Sequence, residues 1–157
     1  MIDNNAMHDR ILATKPTRIA FSLIAIAFAL QYAMPIEWPG LPSSPVVAAL
    51  LSSAGFAIMI RAWWLFRKFG TAICPTEETT QLITDDVYRF TRNPMYLGIL
   101  MMLVGIAILV GSVLFYCVPV VFFLILNHVF CPYEEAKLRG RYKEFFSDYA
   151  SDVPRWI

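Results

Sequence analysis

Polar residues that can bind a charged ligand stand at both ends of one long apolar stretch. Arg92, Asn93 and Tyr96 lie where this stretch begins, and Glu134 and Glu135 follow where it ends. The chain between these two groups carries no acidic side chain and no Lys or Arg. Charged groups beside hydrocarbon are costly and are usually kept there for a function. We therefore predict that the two groups meet and hold a charged cofactor beside a lipid-soluble substrate.

The first group forms one continuous motif, Arg92-Asn93-Pro94-Met95-Tyr96-Leu97-Gly98. A proline at the third position suits the first turn of a helix. The free N–H groups of a helix N-terminus bind a carboxylate, and Arg92 adds a bidentate donor. Tyr96 offers a ring and a hydroxyl, and Gly98 allows a ligand or a neighbouring helix to approach closely. The alternative is structural: Asn93 and Pro94 begin a transmembrane helix, and Arg92 anchors lipid phosphate.

Glu134 and Glu135 are adjacent residues at the predicted start of another helix. The helix dipole alone explains one carboxylate in this position. Two adjacent side chains project about 100° apart on a helix, so they need two different partners. One can bind ribose hydroxyls or an ammonium group, and the other can pair with Arg92 or with a neighbouring basic residue.

The composition indicates an integral membrane protein. Of the 157 residues, 58% are hydrophobic and 16% are charged, against about 45–50% and about 25% in soluble domains. Such a chain lacks the polar surface that a soluble domain of this size requires. The formal net charge of +1 gives no general attraction for nucleic acid, and none is predicted as a partner.

The apolar runs predict an all-α integral membrane protein with four transmembrane helices in a single membrane domain, residues 1–157. The four helices are placed at about residues 19–36, 45–66, 94–110 and 113–131. A polar cytoplasmic connector, residues 67–93, joins the second helix to the third. The third and fourth helices then form a hairpin, which allows distant residues to converge on one pocket.

Small residues and one proline predict how this hairpin packs, turns and ends. Gly98 and Gly105 lie on one face of the third helix and permit close contact with another helix. Gly111 and Ser112 form the natural turn between the third and fourth helices. Pro132 is predicted to end the fourth helix.

A C-terminal amphipathic helix on the cytoplasmic side is predicted at residues 133–150. Its apolar residues recur at helical spacing, and they are Leu138, Tyr142, Phe145, Phe146 and Tyr149. Lysines and arginines occupy the other face. Such a helix lies on a membrane surface or caps a bundle.

The distribution of Lys and Arg predicts the orientation. The segment before the first helix, the connector and the last helix are basic, whereas the loops near residues 37–44 and 111–112 carry neither residue type. The positive-inside rule then places both termini inside and the protein in the inner (cytoplasmic) membrane. The motif at Arg92 and the pair at Glu134 consequently share the cytoplasmic face.

Together these motifs resemble the isoprenylcysteine carboxyl methyltransferase and phospholipid methyltransferase superfamily, in its small bacterial membrane branch. The resemblance rests on the motif from Arg92 to Gly98, on Glu134 and Glu135 with Leu138, on Tyr149, and on the ending Val153-Pro154-Arg155-Trp156. It covers about residues 69–156, and the earlier residues match only as generic membrane helices.

The resemblance implies S-adenosylmethionine as the cofactor and a lipid or lipidated methyl acceptor, isoprenylcysteine-like or with an amine headgroup. It implies cofactor contacts at Arg92, Asn93, Pro94, Tyr96, Gly98, Glu134 and Glu135. For the substrate we predict contacts at Tyr88, His128, Tyr149 and Arg155. No second histidine accompanies His128 at a metal-ligand spacing, so no metal site is predicted.

The chain departs from the family pattern in several places, which leaves the class of substrate open. Family members often have histidine where Asn93 stands, and the Gly-Pro usual before the tyrosine at Tyr88 is Asp86-Val87 here. The family's Phe-Gly in the last helix is Tyr142-Lys143, and a tyrosine there is Phe146. The arginine common before Val-Pro is Asp152.

The predicted reaction depends mainly on how the protein positions the methyl acceptor. Methyl transfer from a sulfonium requires that the acceptor is oriented and that water is excluded. An amine acceptor must also lose a proton, and His128, Tyr96 and the two glutamates remain candidate bases. Two alternatives remain open: a membrane reductase similar to the steroid 5-alpha-reductase group, which uses NADPH, and a non-enzymatic membrane assembly protein.

Overall fold

The computed structural model describes residues 15–34, 43–70 and 81–157. Within these residues the chain is helical and contains no β-strand. The α-helices are α1 (Pro16–Ala33), α2 (Pro45–Lys68), α3 (Pro94–Val110), α4 (Val113–Ile125) and α5 (Cys131–Asp152). A 3₁₀ turn, Asp86–Arg89, precedes α3, and a π-helical turn, Leu126–Phe130, joins α4 to α5. Most of the predicted 37–44 loop and part of the predicted connector lie outside the described residues.

Helices α2 and α3 pack closely because small residues face each other at their contact. A Cβ added to Gly98 would lie 2.5 Å from the carbonyl oxygen of Gly55, and one added to Gly55 would lie 2.6 Å from that of Gly98. Gly105 makes an equally close approach to Ala48 and Ser52. The close contact predicted at Gly98 and Gly105 is therefore confirmed, with α2 as the neighbouring helix.

Gly111 ends α3 and turns the chain into α4. Its φ of 69° is left-handed, a conformation that glycine adopts without strain, and its N–H donates to the carbonyl of Ala107 at 2.8 Å. Ser112 follows, and its hydroxyl donates to the side-chain oxygen of Gln31 on α1. The predicted turn is confirmed, and the hairpin returns α4 to the end of α3 that carries Arg92.

Large apolar side chains of α4 fill the core between α1 and α3. The core residues include Ala20 and Ala27 of α1, Leu103 and Ala107 of α3, and Phe115, Phe122, Leu126 and Phe130. Many apolar side chains on the outer surface remain exposed, for example Phe21 and Leu50. A packed interior with an apolar exterior suits a bundle that is surrounded by lipid.

Three helices within the described residues are long and apolar enough to cross a membrane: α1, α2 and the continuous helix Val113–Asp152. Helix α3 is apolar too, but its 17 residues place it at the lower limit for a crossing. Charged side chains return in the continuous helix at Glu134, so we place its membrane-spanning part before α5. The expectation of an all-helical integral membrane protein is confirmed at this level.

The prediction that Pro132 ends the fourth helix is wrong. The helical path continues from α4 through the π-helical turn into α5, and Pro132 lies in the first turn of α5. Proline has no N–H, and its ring crowds the carbonyl four residues earlier, here that of His128. A π-helical turn at this place accommodates the disruption while the helix continues. As a result, Glu134 and Glu135 belong to the same continuous helix as α4.

The predicted amphipathic helix at residues 133–150 is interrupted at Lys143. The backbone angles there, φ 45° and ψ −117°, are not helical. Beyond the break Phe146 is buried, whereas Phe145 is 77% exposed. The side chains before and after Lys143 therefore do not share one regular helical face, and the amphipathic character of α5 stays a prediction.

The described part of the connector packs on one end of α2. Ile83 and Tyr88 are buried beside Ala62 and Leu65. Because Tyr88 lies in the 3₁₀ turn, this packing fixes the path of the chain as it enters α3.

Candidate functional site

The start of α3 and the start of α5 lie side by side. Tyr96, in the first turn of α3, donates a hydrogen bond from its hydroxyl to Oε1 of Glu134. Arg92 precedes α3, and one of its guanidinium nitrogens lies 3.4 Å from Oε1 of Glu135. The predicted meeting of these two groups of residues is confirmed by the two contacts, while their role in cofactor binding stays a prediction.

The two adjacent glutamates have different partners, as their divergent directions on the helix require. Both carboxylate oxygens of Glu135 accept hydrogen bonds from the guanidinium of Arg155, each at 2.7 Å. Such a fork-to-fork pair is the strongest geometry for an arginine and a carboxylate. Glu134 faces Tyr96 instead.

These surroundings move the pKa values of the two carboxyl groups in opposite directions. Burial raises the pKa of Glu134 to about 7, and the hydrogen bond from Tyr96 offsets part of that rise. Burial would also raise the pKa of Glu135, but the hydrogen bonds from Arg155 and the charge of Arg92 lower it overall. Near neutral pH Glu135 is therefore an anion, whereas Glu134 can hold or release a proton.

Arg92 has a donor that its protein neighbours do not use. Its backbone N–H donates to the carbonyl of Pro154 at 3.0 Å, and one terminal nitrogen donates to the carbonyl of Ala150 at 3.5 Å. Its Nε is buried and has no hydrogen-bond partner among the described residues. An unpaired buried donor costs free energy, so Nε of Arg92 is a donor that the contacts of the described residues leave open.

The residues that follow α5 cross from one side of the site to the other. The carbonyl of Arg155 accepts hydrogen bonds from the Thr91 hydroxyl at 2.9 Å and from the Asn93 amide at 3.1 Å. Its guanidinium donates to the backbone and side-chain oxygens of Asn127 at 3.3 and 3.2 Å. Trp156 donates from its indole nitrogen to the same side-chain oxygen of Asn127 at 3.0 Å.

Two supporting residues of the site, Thr91 and Asn127, were not predicted from the sequence. Thr91 is 2% exposed, and Asn127 is a half-buried amide beside His128 in a mostly apolar run. Buried polar groups are almost always hydrogen-bonded. An amide in a mostly apolar run was thus the available signal for Asn127, whereas the role of Thr91 depends on a residue that is distant in sequence.

The four predicted substrate residues have different surroundings. Tyr88 is buried, and its carbonyl accepts a hydrogen bond from the Tyr149 hydroxyl at 2.7 Å, which joins the 3₁₀ turn to α5. The guanidinium of Arg155 is hydrogen-bonded to Glu135. His128 is exposed in the π-helical turn. Within the described residues no group of three His, Cys, Asp or Glu side chains could hold a metal ion. Substrate contact stays a prediction for all four residues.

Three of the predicted cofactor residues shape the start of α3. Asn93 occupies the N-cap position, but its side chain bonds the carbonyl of Arg155 and not the helix. Pro94 is buried in the first turn. Gly98 faces α2, so of the two possibilities raised for this glycine the geometry favours contact with a helix.

Two departures from the family pattern coincide with unusual backbone. Among the described residues, the non-glycine residues with positive φ are Asp86 (φ 62°) and Lys143 (φ 45°), and both stand where the resembled family carries glycine. Asp86 is held by Arg61, whose Nε and terminal nitrogen lie 3.1 and 2.5 Å from its Oδ2. The hydrogen bond from Arg61 lowers the pKa of Asp86. Both positions thus have the positive φ that favours glycine, although neither residue is a glycine.

Fold and side-chain contacts together define an integral membrane helical protein whose α3–α4 hairpin carries a cluster of polar side chains at its open end. A family model described as phospholipid methyltransferase matches residues 44–144, a range that includes the Arg92 motif and both glutamates. Because this match spans more than half of the chain, the protein belongs to the phospholipid methyltransferase family, and the resemblance is confirmed. Comparisons with curated proteins and with solved structures gave no match.

Proposed function

We propose that this protein transfers a methyl group from S-adenosylmethionine to a lipid or lipidated acceptor at the cytoplasmic face of the inner membrane. The observation that carries the proposal is the pair of contacts between α3 and α5, Tyr96 with Glu134 and Arg92 with Glu135. They gather a cation, an anion and a titratable carboxylate at one end of an apolar hairpin. Membership of the phospholipid methyltransferase family supplies the class of reaction.

The polar groups of the site fit such a cofactor, which carries a carboxylate, an ammonium group and ribose hydroxyls. The unpartnered Nε of Arg92 offers a donor to a carboxylate. Glu134 offers an acceptor to the ribose hydroxyls. At the start of α3 the Asn93 side chain makes no capping bond, which leaves backbone N–H groups available to an anion.

Bound S-adenosylmethionine supplies a sulfonium methyl group that needs no further activation. Three tasks then remain for the residues of the chain. The protein has to orient the acceptor, exclude water and, for an amine acceptor, take up a proton. We assign the last task to Glu134, because a carboxylate with a pKa of about 7 accepts a proton near neutral pH. Tyr96 holds the Oε1 atom of this carboxylate in place.

We also propose four membrane crossings with both termini in the cytoplasm. Helix α3 packs against α2 along its glycine face, so it crosses the membrane with that longer helix. Arg67 and Lys68 in the last turn of α2 support a cytoplasmic position for this end of the bundle. The acceptor would reach the site sideways between helices, and the cofactor would enter from the cytosol.

Ligand binding to the purified, detergent-solubilised protein tests the proposal. S-adenosylhomocysteine should raise the Tm in a concentration-dependent way, because it binds the folded state, and NADPH should not. Glu134→Gln and Glu135→Gln should weaken this effect without lowering the Tm of the free protein by more than a few degrees. Glu144→Gln, a change at an exposed glutamate of α5, is the matched control.

The other outcomes separate the alternatives. A Tm raised by NADPH and unaffected by S-adenosylhomocysteine would favour the membrane reductase. A folded protein that responds to neither ligand would favour the non-enzymatic assembly protein.

A further inference from the structure

Arg155 lies at the centre of the contacts that hold the two sides of the site together. Its carbonyl is bonded by Thr91 and Asn93, which precede and begin α3. Its three guanidinium nitrogens all have partners, two on Glu135 and one on Asn127. Residue 155 also lies beyond the range 44–144 that the family model matches.

These contacts decide which cation Glu135 binds most closely. Arg155 holds both oxygens of the Glu135 carboxylate at 2.7 Å, whereas the guanidinium nitrogen of Arg92 lies 3.4 Å away. If Arg155 were absent, the carboxylate of Glu135 could form the same fork with Arg92. Nε of Arg92, which has no hydrogen-bond partner among the described residues, would then be occupied by the protein itself.

We propose that Arg155 is a positioning residue of this site. It holds both oxygens of the Glu135 carboxylate, so that Glu135 and Arg92 keep only their longer contact of 3.4 Å and Nε of Arg92 is left without a protein partner. It also ties the start of α5 to the start of α3. This inference rests on the proposed function, because the ligand in question is the methyl donor. Arg155 acts through Glu135 and Arg92, which replaces the substrate contact predicted for it from the sequence.

The first test compares Arg155→Lys with the wild-type protein. Lysine keeps the positive charge but has no fork, so it cannot hold both oxygens of Glu135 and the oxygen of Asn127 together. The Kd for S-adenosylhomocysteine, measured by calorimetry in detergent, should rise about tenfold or more. The KM for the methyl donor should rise by a larger factor than kcat falls.

The matched control is Arg89→Ala. The Arg89 side chain is 71% exposed, and its carboxylate neighbour Asp85 lies at 3.9 Å. This variant should bind S-adenosylhomocysteine like the wild type. Wild-type affinity in Arg155→Lys, or an equal loss in Arg89→Ala, would overturn the proposal.

A double variant tests whether Glu135 binds Arg92 when Arg155 is absent. In Arg155→Ala the carboxylate of Glu135 is expected to bind Arg92, so adding Glu135→Gln should release Arg92 again. The double variant should therefore bind S-adenosylhomocysteine at least as tightly as Arg155→Ala alone. Additive losses of affinity from the two changes would show that Glu135 contacts the ligand directly. They would contradict the inference that Glu135 binds Arg92 when Arg155 is absent.

Hydrogen exchange separates this inference from the proposed function. In Arg155→Lys, amides of residues 91–97 and 131–138 should exchange faster than in the wild type and in Arg89→Ala, while α2 should be unchanged. If the wild type binds no S-adenosylhomocysteine, the proposed function fails, but faster exchange in both segments still supports the positioning role. Unchanged exchange in both segments would overturn that role. Should Arg155→Ala fail to fold, Arg155→Lys measured with and without Glu135→Gln provides the same test.

Discussion

Tyr96 donates a hydrogen bond to Glu134 although 38 positions separate them in sequence. This bond ties the first turn of α3 to the first turn of α5. It also opposes the effect of burial on the pKa of Glu134, which burial nevertheless raises to about 7. One contact therefore both joins the two helix starts and lowers the pH at which the buried carboxylate changes charge.

The first prediction concerns the pH dependence of catalysis. If Glu134 accepts the proton of an amine acceptor, kcat should rise with pH through the pKa of this group. Tyr96→Phe removes a hydrogen bond that lowers this pKa, so the rise should move to higher pH. In Glu134→Gln the rise should disappear. The measurement is kcat between pH 5.5 and 9, and a profile unchanged by Tyr96→Phe would contradict the assignment of Glu134 as the base.

The second prediction concerns stability. The folded protein binds the Glu134 proton more tightly than the unfolded chain, in which this carboxyl group has its ordinary pKa of 4.5. Stability contributed by this group is therefore present below pH 4.5 and is lost as the pH rises to about 7. The Glu134→Gln variant cannot ionise at this position. Its free energy of unfolding, relative to that of the wild type, should therefore increase between pH 5 and pH 8 by on the order of 1–3 kcal/mol. Thermal unfolding of both proteins at the two pH values measures this gain, and a constant difference would contradict it.

The third prediction concerns the contact between α2 and α3. Gly98→Ala would place a Cβ 2.5 Å from the carbonyl oxygen of Gly55, so it should destabilise the protein by roughly 1–3 kcal/mol. Gly140→Ala is the control, because a Cβ there meets no atom within 4 Å. The control should be neutral or stabilise α5 by about 0.5–1 kcal/mol. Denaturant unfolding compares the two, and equal effects would contradict this account of the helix contact.

The fourth prediction concerns the break in α5. Lys143 has φ 45° and ψ −117°, a region that glycine occupies more readily than a residue with a Cβ. Lys143→Gly should therefore stabilise the protein by about 1 kcal/mol. Lys143→Ala keeps the Cβ and should give no such gain. A larger gain from alanine than from glycine would indicate that the loss of the lysine side chain, and not the backbone, is responsible.

Features that depend on neighbouring residues could be predicted from the sequence. The length of each apolar run indicated the helices, and Gly111 indicated the left-handed turn of the hairpin because few other residues adopt it readily. The spacing of Gly98 and Gly105 indicated a face for close packing. The divergent directions of two adjacent glutamates required two partners, and Tyr96 and Arg155 supply them.

Features that depend on distant contacts could not be predicted in this way. A proline commonly ends a helix, but the π-helical turn before Pro132 allows the helix to continue. Helical spacing alone assumes a regular backbone, so it could not foresee the break at Lys143. The choice of Arg155 as the close partner of Glu135 depends on the path of the chain after α5, which no local pattern encodes.

Methyl transfer into membrane lipids tests the central claim most directly. Purified protein, in vesicles that contain an amine-headgroup phospholipid and an isoprenylcysteine analogue, is incubated with S-adenosylmethionine that carries an isotope label in its methyl group, and both acceptors are analysed by mass spectrometry. We predict label in a lipid or lipidated acceptor with the wild type and with Glu144→Gln, and strong loss of label with Glu134→Gln and Glu135→Gln. A folded wild-type protein that binds S-adenosylhomocysteine but labels no lipid or lipidated acceptor would contradict the account.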